Sequence, residues 1–361
     1  MRVLGVLVVA VLAGCSSQQL ADPVAAQPAA GPVQPDPAEV TTTLPGPAVT
    51  PAASPVALPE VSCPPAPPPA APGDWRHSIK SRLAVLAGDP NHRGVDLVTG
   101  AGAAAQTIAG KLRYGLIDKA LEDETVELFA CRAGAWQRLG EAVSDDEGSF
   151  SFTLRGAGRL PIGRRPLYLS VVGDRSGAAF TALIAPDGAE LVVSDMDGTL
   201  TTGENDFPIA LVTGGDVGAR DGAPAALAAL AAKGYQIVYM SSRGRIFLER
   251  SREWLAAKGF PPGALRLASA AVTLPGSATT DYKADTLAAL RAAGLTPAVG
   301  FGNRATDAAA YRAAAIAGTR IFLHDSEFAD ENADAIARGD AIGFDSYRAL
   351  MPTLAAIPAA R

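Results

Sequence analysis

The chain has 361 residues, 31 of them Lys or Arg against 37 Asp or Glu, for a formal charge of −6. This mild acidity, without a concentrated basic stripe, argues against a nucleic-acid partner. Three cysteines and three scattered histidines, His77, His92 and His324, give neither a zinc spacing nor a catalytic triad.

In chain order, Met1-Arg2 precedes an apolar run, Val3 to Ala13, too short to span a bilayer and shaped like a signal-peptide core. It ends in Leu12-Ala13-Gly14-Cys15, which resembles the lipobox of bacterial lipoproteins. That resemblance implies a leader over residues 1–15 with Cys15 lipidated, and several acyl chains there would anchor the protein stably. Ser16 then points to a lipid-anchored protein of the bacterial envelope, on the outer membrane facing the periplasm, by analogy with lipoprotein sorting. An ordinary signal peptide with an incidental cysteine is the alternative. Residues 16–73, rich in Ala, Pro, Val and Thr, cannot bury a core and read as a disordered tether. As a flexible coil its ends would lie about 45 Å apart, so the rest of the chain could reach the bilayer.

Residues 74–106 read as a helical lead-in that opens with the amphipathic stretch Trp75 to Leu86. Over 107–187, apolar runs at 126–131, 136–139, 149–154, 167–172 and 178–184 alternate with Gly, Asp and Arg turns, the pattern of a small antiparallel β-sandwich. Arg155, Arg159, Arg164 and Arg165 form either a contact for anionic lipid or an ordinary solvated loop. In a compartment that permits disulfides, Cys63 and Cys131 could staple the end of the tether to the sandwich; a buried free Cys131 is the other reading.

From 188 to 361 the pattern changes to short apolar runs separated by Ala/Leu-rich helical stretches closed by Gly. This is the signature of α/β architecture, a Rossmann-like parallel sheet covered by helices. Strands are expected at 191–194, 235–240, 265–267, 297–301 and 320–323, with helices at 224–233, 246–258, 282–293 and 306–315. The first strand ends in Ser194-Asp195-Met196-Asp197-Gly198-Thr199. Where a strand ends the chain can turn, so both carboxylates can point into one crevice, one to attack phosphorus and the other to manage protons. Gly198 permits the turn and Thr199 can hydrogen-bond a carboxylate. Two acids this close repel and call for a cation. Alone, such a pentapeptide is also a common surface turn, Ser241-Ser242-Arg243 a helix cap, and Asn303-Arg-x-x-Asp307 a capped turn. In sequence they end three of these apolar runs and should converge at the carboxyl edge of one sheet.

With these residues the chain resembles the haloacid dehalogenase superfamily of phosphohydrolases: Asp195-x-Asp197-Gly-Thr is similar to its first motif, Ser241 to its second, Lys283 to its third, and Gly302-Asn303-x-x-x-Asp307 to its fourth. More narrowly, Val-Val-Ser-Asp-Met-Asp-Gly-Thr-Leu-Thr, Val-Tyr-Met-Ser-Ser-Arg and Phe-Gly-Asn-Arg-Ala-Thr-Asp resemble the domain shared by lipin phosphatidate phosphatases and phosphatidylinositol transfer proteins of the retinal degeneration B type. The resemblance covers about residues 107–350. It implies that Asp195 is a nucleophile forming an aspartyl-phosphate and that Asp197 is the general acid and base. It also implies that Thr199, Ser241 and Lys283 serve the substrate phosphate. Mg²⁺ would be held by Asp195, the main-chain carbonyl of Asp197 and Asn303, with Asp307 in or near the outer shell.

Asn303 in place of a carboxylate removes a charge from that site, as in lipin-like sequences. The transfer-protein relatives have lost an acid from the first motif and are thought to bind phosphatidic acid without hydrolysing it, whereas Asp195 and Asp197 are both present here. The segments 201–224 and 243–283 are too short for a large cap, though 205–220 could form a flap, so the crevice should be open to a head group presented by a bilayer. The expectation is a monomeric Mg²⁺-dependent phosphatase, acting on membrane phosphatidic acid to release diacylglycerol and phosphate. The alternatives are a non-catalytic phospholipid-binding module and a phosphatase for another phosphomonoester.

Overall fold

The computed structural model describes residues 58–64, 71–115, 117–206, 210, 215–244, 247–268 and 277–361. The expected leader, Cys15 and the tether up to residue 57 lie outside these residues, as does much of the flap expected at 205–220. None of the helices among the described residues is long and apolar enough to cross a membrane.

Period-two alternation makes the first described half a sandwich. One sheet has the order β1 (Arg93–Val95), β3 (Ala105–Lys111), β8 (Ser149–Arg155). The other runs β2 (Leu97–Gly100), β10 (Gly177–Ala185), β9 (Gly163–Val171), β6 (Thr125–Arg132), β7 (Ala135–Val143). A two-residue pair, β4 (Arg113–Tyr114) with β5 (Lys119–Ala120), lies between them in the chain. Val126, Leu128 and Ala130 of β6 and Leu167, Leu169 and Val171 of β9 turn inward against Ile108, Phe150 and Leu154. All pairings in the two sheets are antiparallel except β2 with β10.

Two expectations fail here. The helical lead-in at 74–106 holds a helix only at α1 (Ser78–Val85), and the sandwich begins at Arg93, before residue 107. The strands β1 and β2 are too short for their alternation to show, because the chain changes sheets at the buried Asp96. The end of the expected tether is also not free. Cys63 is disulfide-bonded to Cys131, the Arg164 N–H donates to the Pro59 carbonyl at 2.8 Å, and the Gly73 N–H to that of Val172 at 2.8 Å.

Strand β11 (Glu190–Asp195) opens the second half. Its sheet is parallel, with the order β13 (Ala264–Ala268), β12 (Gln236–Gly244), β11, β14 (Thr296–Gly302), β15 (Ile321–His324), β16 (Ile342–Phe344). Helices α2 (Ala223–Ala232), α3 (Leu248–Ala257), α4 (Ser277–Ala292), α5 (Ala305–Ala313), α6 (Ala329–Ala337) and α7 (Tyr347–Ala356) cover it. Val192 packs into one core with Leu227 and Leu354, while Leu191 and Val193 pack into the other with Leu287 and Tyr311. Both faces are buried, as a parallel sheet requires. The expected strands and helices up to 323 are present; α6, β16 and α7 extend the fold beyond them. The chain order reverses at β11, where one crossover leads to β12 on one side and another to β14 on the other. The crevice outside the carboxyl end of β11 is therefore where such a sheet takes a ligand.

Candidate active site

Four segments meet at that crevice. Asp195 ends β11, Asp197 and Thr199 lie on the turn behind it, and Ser241 and Arg243 close β12. Asn303 follows β14, and Asp307 and Lys283 come from α5 and α4. The turn depends on Gly198, whose φ is +68°. A Cβ there would lie 2.1 Å from Asn303 Nδ2 and 2.7 Å from a Glu204 oxygen, so any larger residue both strains the backbone and displaces the site.

Asp195 is buried, with one carboxylate oxygen 2.7 Å from Lys283 Nζ and the other accepting the Thr199 hydroxyl at 3.3 Å. Lys283 also pairs with Asp307, whose second oxygen accepts the N–H groups of Asn303 at 3.1 Å and Arg304 at 3.2 Å. Asp307 thus has both oxygens engaged and orients Lys283 and the Asn303 loop. Asn332 steadies the same loop, donating to the Asn303 carbonyl at 2.9 Å.

Thr199 is fully buried and bridges Asp195 to Asn303 Oδ1, at 3.3 Å to each. Its hydroxyl holds Asp195 and the Asn303 side chain in register. Ser241 is likewise buried: its hydroxyl donates to Asp197 Oδ2 at 2.7 Å and accepts the Arg243 N–H at 3.1 Å. Here its proton goes to Asp197, where a phosphoryl oxygen was expected.

Sequence reasoning passed over two charged residues. Arg243, read as part of a helix-cap tripeptide, places Nε 2.8 Å from Asp197 Oδ1 and is almost wholly buried. Glu204, without any motif signal, accepts the Asn303 side-chain amide at 2.7 Å. Among the described residues these contacts join four carboxylates, Asp195, Asp197, Glu204 and Asp307, to two cations, Lys283 and Arg243. Burial pushes the Asp195 carboxyl up to about 8, against the pull of Lys283 and with help from Asp307 and Asp197. Burial also raises Glu204. Lys283 is held well above its ordinary value, the two carboxylates overcoming the cost of its burial. The crevice is short of positive charge.

That deficit, with oxygen donors on Asp195 and Asn303 and an Asp197 carbonyl that accepts no hydrogen bond among the described residues, fits a hard divalent cation. Of the arginines considered for lipid, Arg155 is exposed. Arg159 donates to the Ala101 and Ala103 carbonyls, Arg164 pairs with Glu60, and Arg165 is buried against the Pro161 carbonyl. This removes all but Arg155 from service as a ready anionic-lipid surface.

Comparison with known proteins agrees with this two-part layout. The family model described as the β-sandwich domain of PITM 1-3 matches residues 90–184, and that of the PITM 1-3 LNS2 domain matches residues 192–324. Membrane-associated phosphatidylinositol transfer protein 3 of Mus musculus is 28% identical over 177 residues, 48% of this chain and 18% of that protein. Protein retinal degeneration B of Drosophila melanogaster is 28% identical over 218 residues, 58% of this chain and 17% of that protein. The matches therefore span under a fifth of those relatives' own length. Among solved structures, a putative β-phosphoglucomutase from Thermotoga maritima overlaps 46% of this chain and 99% of its own, at 16% identity and a TM-score of 0.32, too low to bear on the fold. Residues 90–184 and 192–324 thus match, in this order, the models of the PITM 1-3 β-sandwich and LNS2 domains, and the chain is homologous to the membrane-associated phosphatidylinositol transfer proteins and protein retinal degeneration B.

Proposed function

We propose that this chain is a Mg²⁺-dependent phosphoric monoester hydrolase of haloacid dehalogenase type, acting on phosphatidic acid at a membrane surface. The observation that carries the reading is the convergence of Asp195, beside Lys283 at 2.7 Å, with Asp197, Asn303 and Asp307 at the end of one strand. In this reading an Asp195 oxygen attacks phosphorus, the bond to the ester oxygen breaks, and Asp197 gives the leaving alkoxide its proton. Asp197 then takes a proton from the water that cleaves the aspartyl-phosphate, releasing phosphate and restoring Asp195. Lys283 offsets charge on the phosphoryl oxygens throughout. Mg²⁺, held by Asp195, the Asp197 carbonyl and Asn303, would supply further compensation for that charge.

A second reading, a phospholipid-binding module without turnover, draws on one observation. Both Asp197 oxygens accept hydrogen bonds, from Ser241 and Arg243, so proton delivery requires that one be released. One named relative is a membrane-associated phosphatidylinositol transfer protein, which fits either reading. The test is phosphate release by the full chain from phosphatidic acid vesicles and from a soluble phosphomonoester, with Mg²⁺ or chelator, beside Asp195→Asn. Metal-dependent release from vesicles that the substitution removes is the expected result. Release from the soluble ester alone discards the lipid, and vesicle binding without release leaves the binding module.

A further inference from the structure

Helix α1 is built inside out. Its buried residues are Ser81 and Ala84, and its hold on the sandwich is polar: the buried Glu124 accepts the Ser81 hydroxyl and the N–H groups of Arg76 at 3.1 Å and His77 at 2.9 Å. The large aliphatic residues Ile79, Leu83 and Leu86 fall at i, i+4 and i+7, on one stripe, and that stripe faces outward at 79, 62 and 79% exposure. Ile117, on the turn between β4 and β5, is equally exposed and lines one hollow with Ala87, beside Leu86. These four are the most exposed large apolar side chains among the described residues. Gathered in one place, they mark a contact surface.

The stripe lies toward the same edge of the molecule as the crevice. Helix α4 starts at the carboxyl edge of the parallel sheet, where Lys283 meets Asp195. It ends at the amino edge, where the Gly294 carbonyl accepts the Gly188 N–H at 2.7 Å and the Ala293 carbonyl accepts that of Gly100 at 2.7 Å. From Gly100 back to Asp96 the sandwich climbs beside the sheet: Asp96 accepts the Leu265 N–H at 2.8 Å, and in the sheet's register Leu265 pairs with Tyr239 and Tyr239 with Ser194. Asp96 therefore stands level with the residue before Asp195. Arg93 lies three residues farther along, and its Nη1 is 3.2 Å from Asp118 on the turn that carries Ile117. The Gly115 N–H of that turn donates at 2.8 Å to the carbonyl of Asp89, just past α1.

We infer that the α1 stripe and Ile117 dip into a lipid bilayer and hold the mouth of the crevice toward it. The choice of a bilayer rests on the proposed action at a membrane surface; the contact itself needs no turnover. Size favours this occupant over a second copy of the chain. Four side chains are a fraction of the roughly 20–30 residues that each partner contributes to a stable interface. A short apolar stripe on a helix is enough to enter the boundary between head groups and acyl chains, about 5–10 Å deep. Charge adds little: Lys80 and Lys119 pair with Glu122 and Arg76 with Asp123, so of the cations on or beside the helix Arg82 alone has no ion pair among the described residues. The attraction is then burial of apolar surface.

The test is photocrosslinking of the full chain on vesicles of phosphatidylcholine that carries a diazirine in its acyl chain, with the adducts mapped by mass spectrometry. Phosphatidylcholine is not a phosphomonoester, so the outcome is independent of what the crevice hydrolyses and separates this contact from the proposed activity. Adducts should fall on Ile79, Leu83, Leu86 and Ile117, and high salt should leave them in place. Leu83→Asp combined with Leu86→Asp should remove the adducts at Ile117 with an unchanged thermal midpoint, since both positions are exposed. Absence of adducts from α1 and Ile117 overturns the inference, as do adducts at Ile117 that the double variant leaves intact. A dimer in sedimentation without vesicles that the double variant makes monomeric also overturns it, because the stripe then meets a second copy.

Discussion

Arg243 grips Asp197, with Nε 2.8 Å from Oδ1 and a further contact from Nη2 to the same oxygen, while Nη1 lies 3.1 Å from the hydroxyl of Ser251 on α3. The carboxylate assigned the proton transfers is thus aimed by a guanidinium that is itself anchored. Arg243→Lys keeps the charge and loses the planar fork. On any phosphomonoester the chain hydrolyses, kcat should fall about 10- to 100-fold with KM little changed, and the pH–rate profile should move. An unaltered profile and kcat would mean that Asp197 needs no such aim.

Glu204 supplies a carboxylate beside Asn303, where the residue itself brings no charge. Glu204→Gln should weaken Mn²⁺ binding by about tenfold, read by electron paramagnetic resonance of the free ion, and Asn303→Asp should strengthen it. The readout is independent of turnover. Equal Mn²⁺ affinity in the native protein and Glu204→Gln would remove Glu204 from the site's charge balance.

The Cys63–Cys131 disulfide closes a loop with a sequence separation of 68. Cys63→Ser should cost about 2–4 kcal/mol, seen as a lower urea midpoint, and a reductant should produce the same loss in the native protein but none in the variant. A reductant effect that persists in the variant would locate the sensitivity elsewhere.

His92 is buried in the sandwich, with Nδ1 accepting the Arg113 N–H at 3.1 Å and Nε2 against Ser176 Oγ at 2.8 Å. Burial lowers its pKa to about 4, so between there and its ordinary 6.5 the unfolded chain binds more protons than the folded one. Its neutral burial contributes fully above about pH 6.5 and is lost as the pH falls toward 4. From pH 7 to pH 5 the native protein should lose about 2 kcal/mol more than His92→Gln in urea unfolding. Parallel losses would show that His92 is not the group titrating.

Period and punctuation were enough to locate most of the strands and helices, because a sheet buried on both faces needs unbroken apolar runs and its helices end at Gly. What escaped was set by contacts distant in sequence. Strands β1 and β2 are short and divided by Asp96, whose partners Arg252 and Leu265 lie far along the chain. At the site, the motif residues do converge, and the hydroxyls of Thr199 and Ser241 reach Asp195 and Asp197. Residue type told which groups could donate a hydrogen bond but not to whom. Glu204 sits in a loop without periodicity, and only the fold carries it to Asn303.

The passage from β10 to β11 takes only residues 186–189. Phe180, Ala182 and Ile184 of β10 fill the sandwich core while Leu183 and Ala185 enter a core of the parallel sheet, and the Gly100 N–H donates to the Ala293 carbonyl at 2.7 Å. There is no slack here for a hinge. The strand that ends in Asp195 is in effect a continuation of the sandwich, so the two halves pivot as one piece, and whatever surface seats the first also decides which way the second opens.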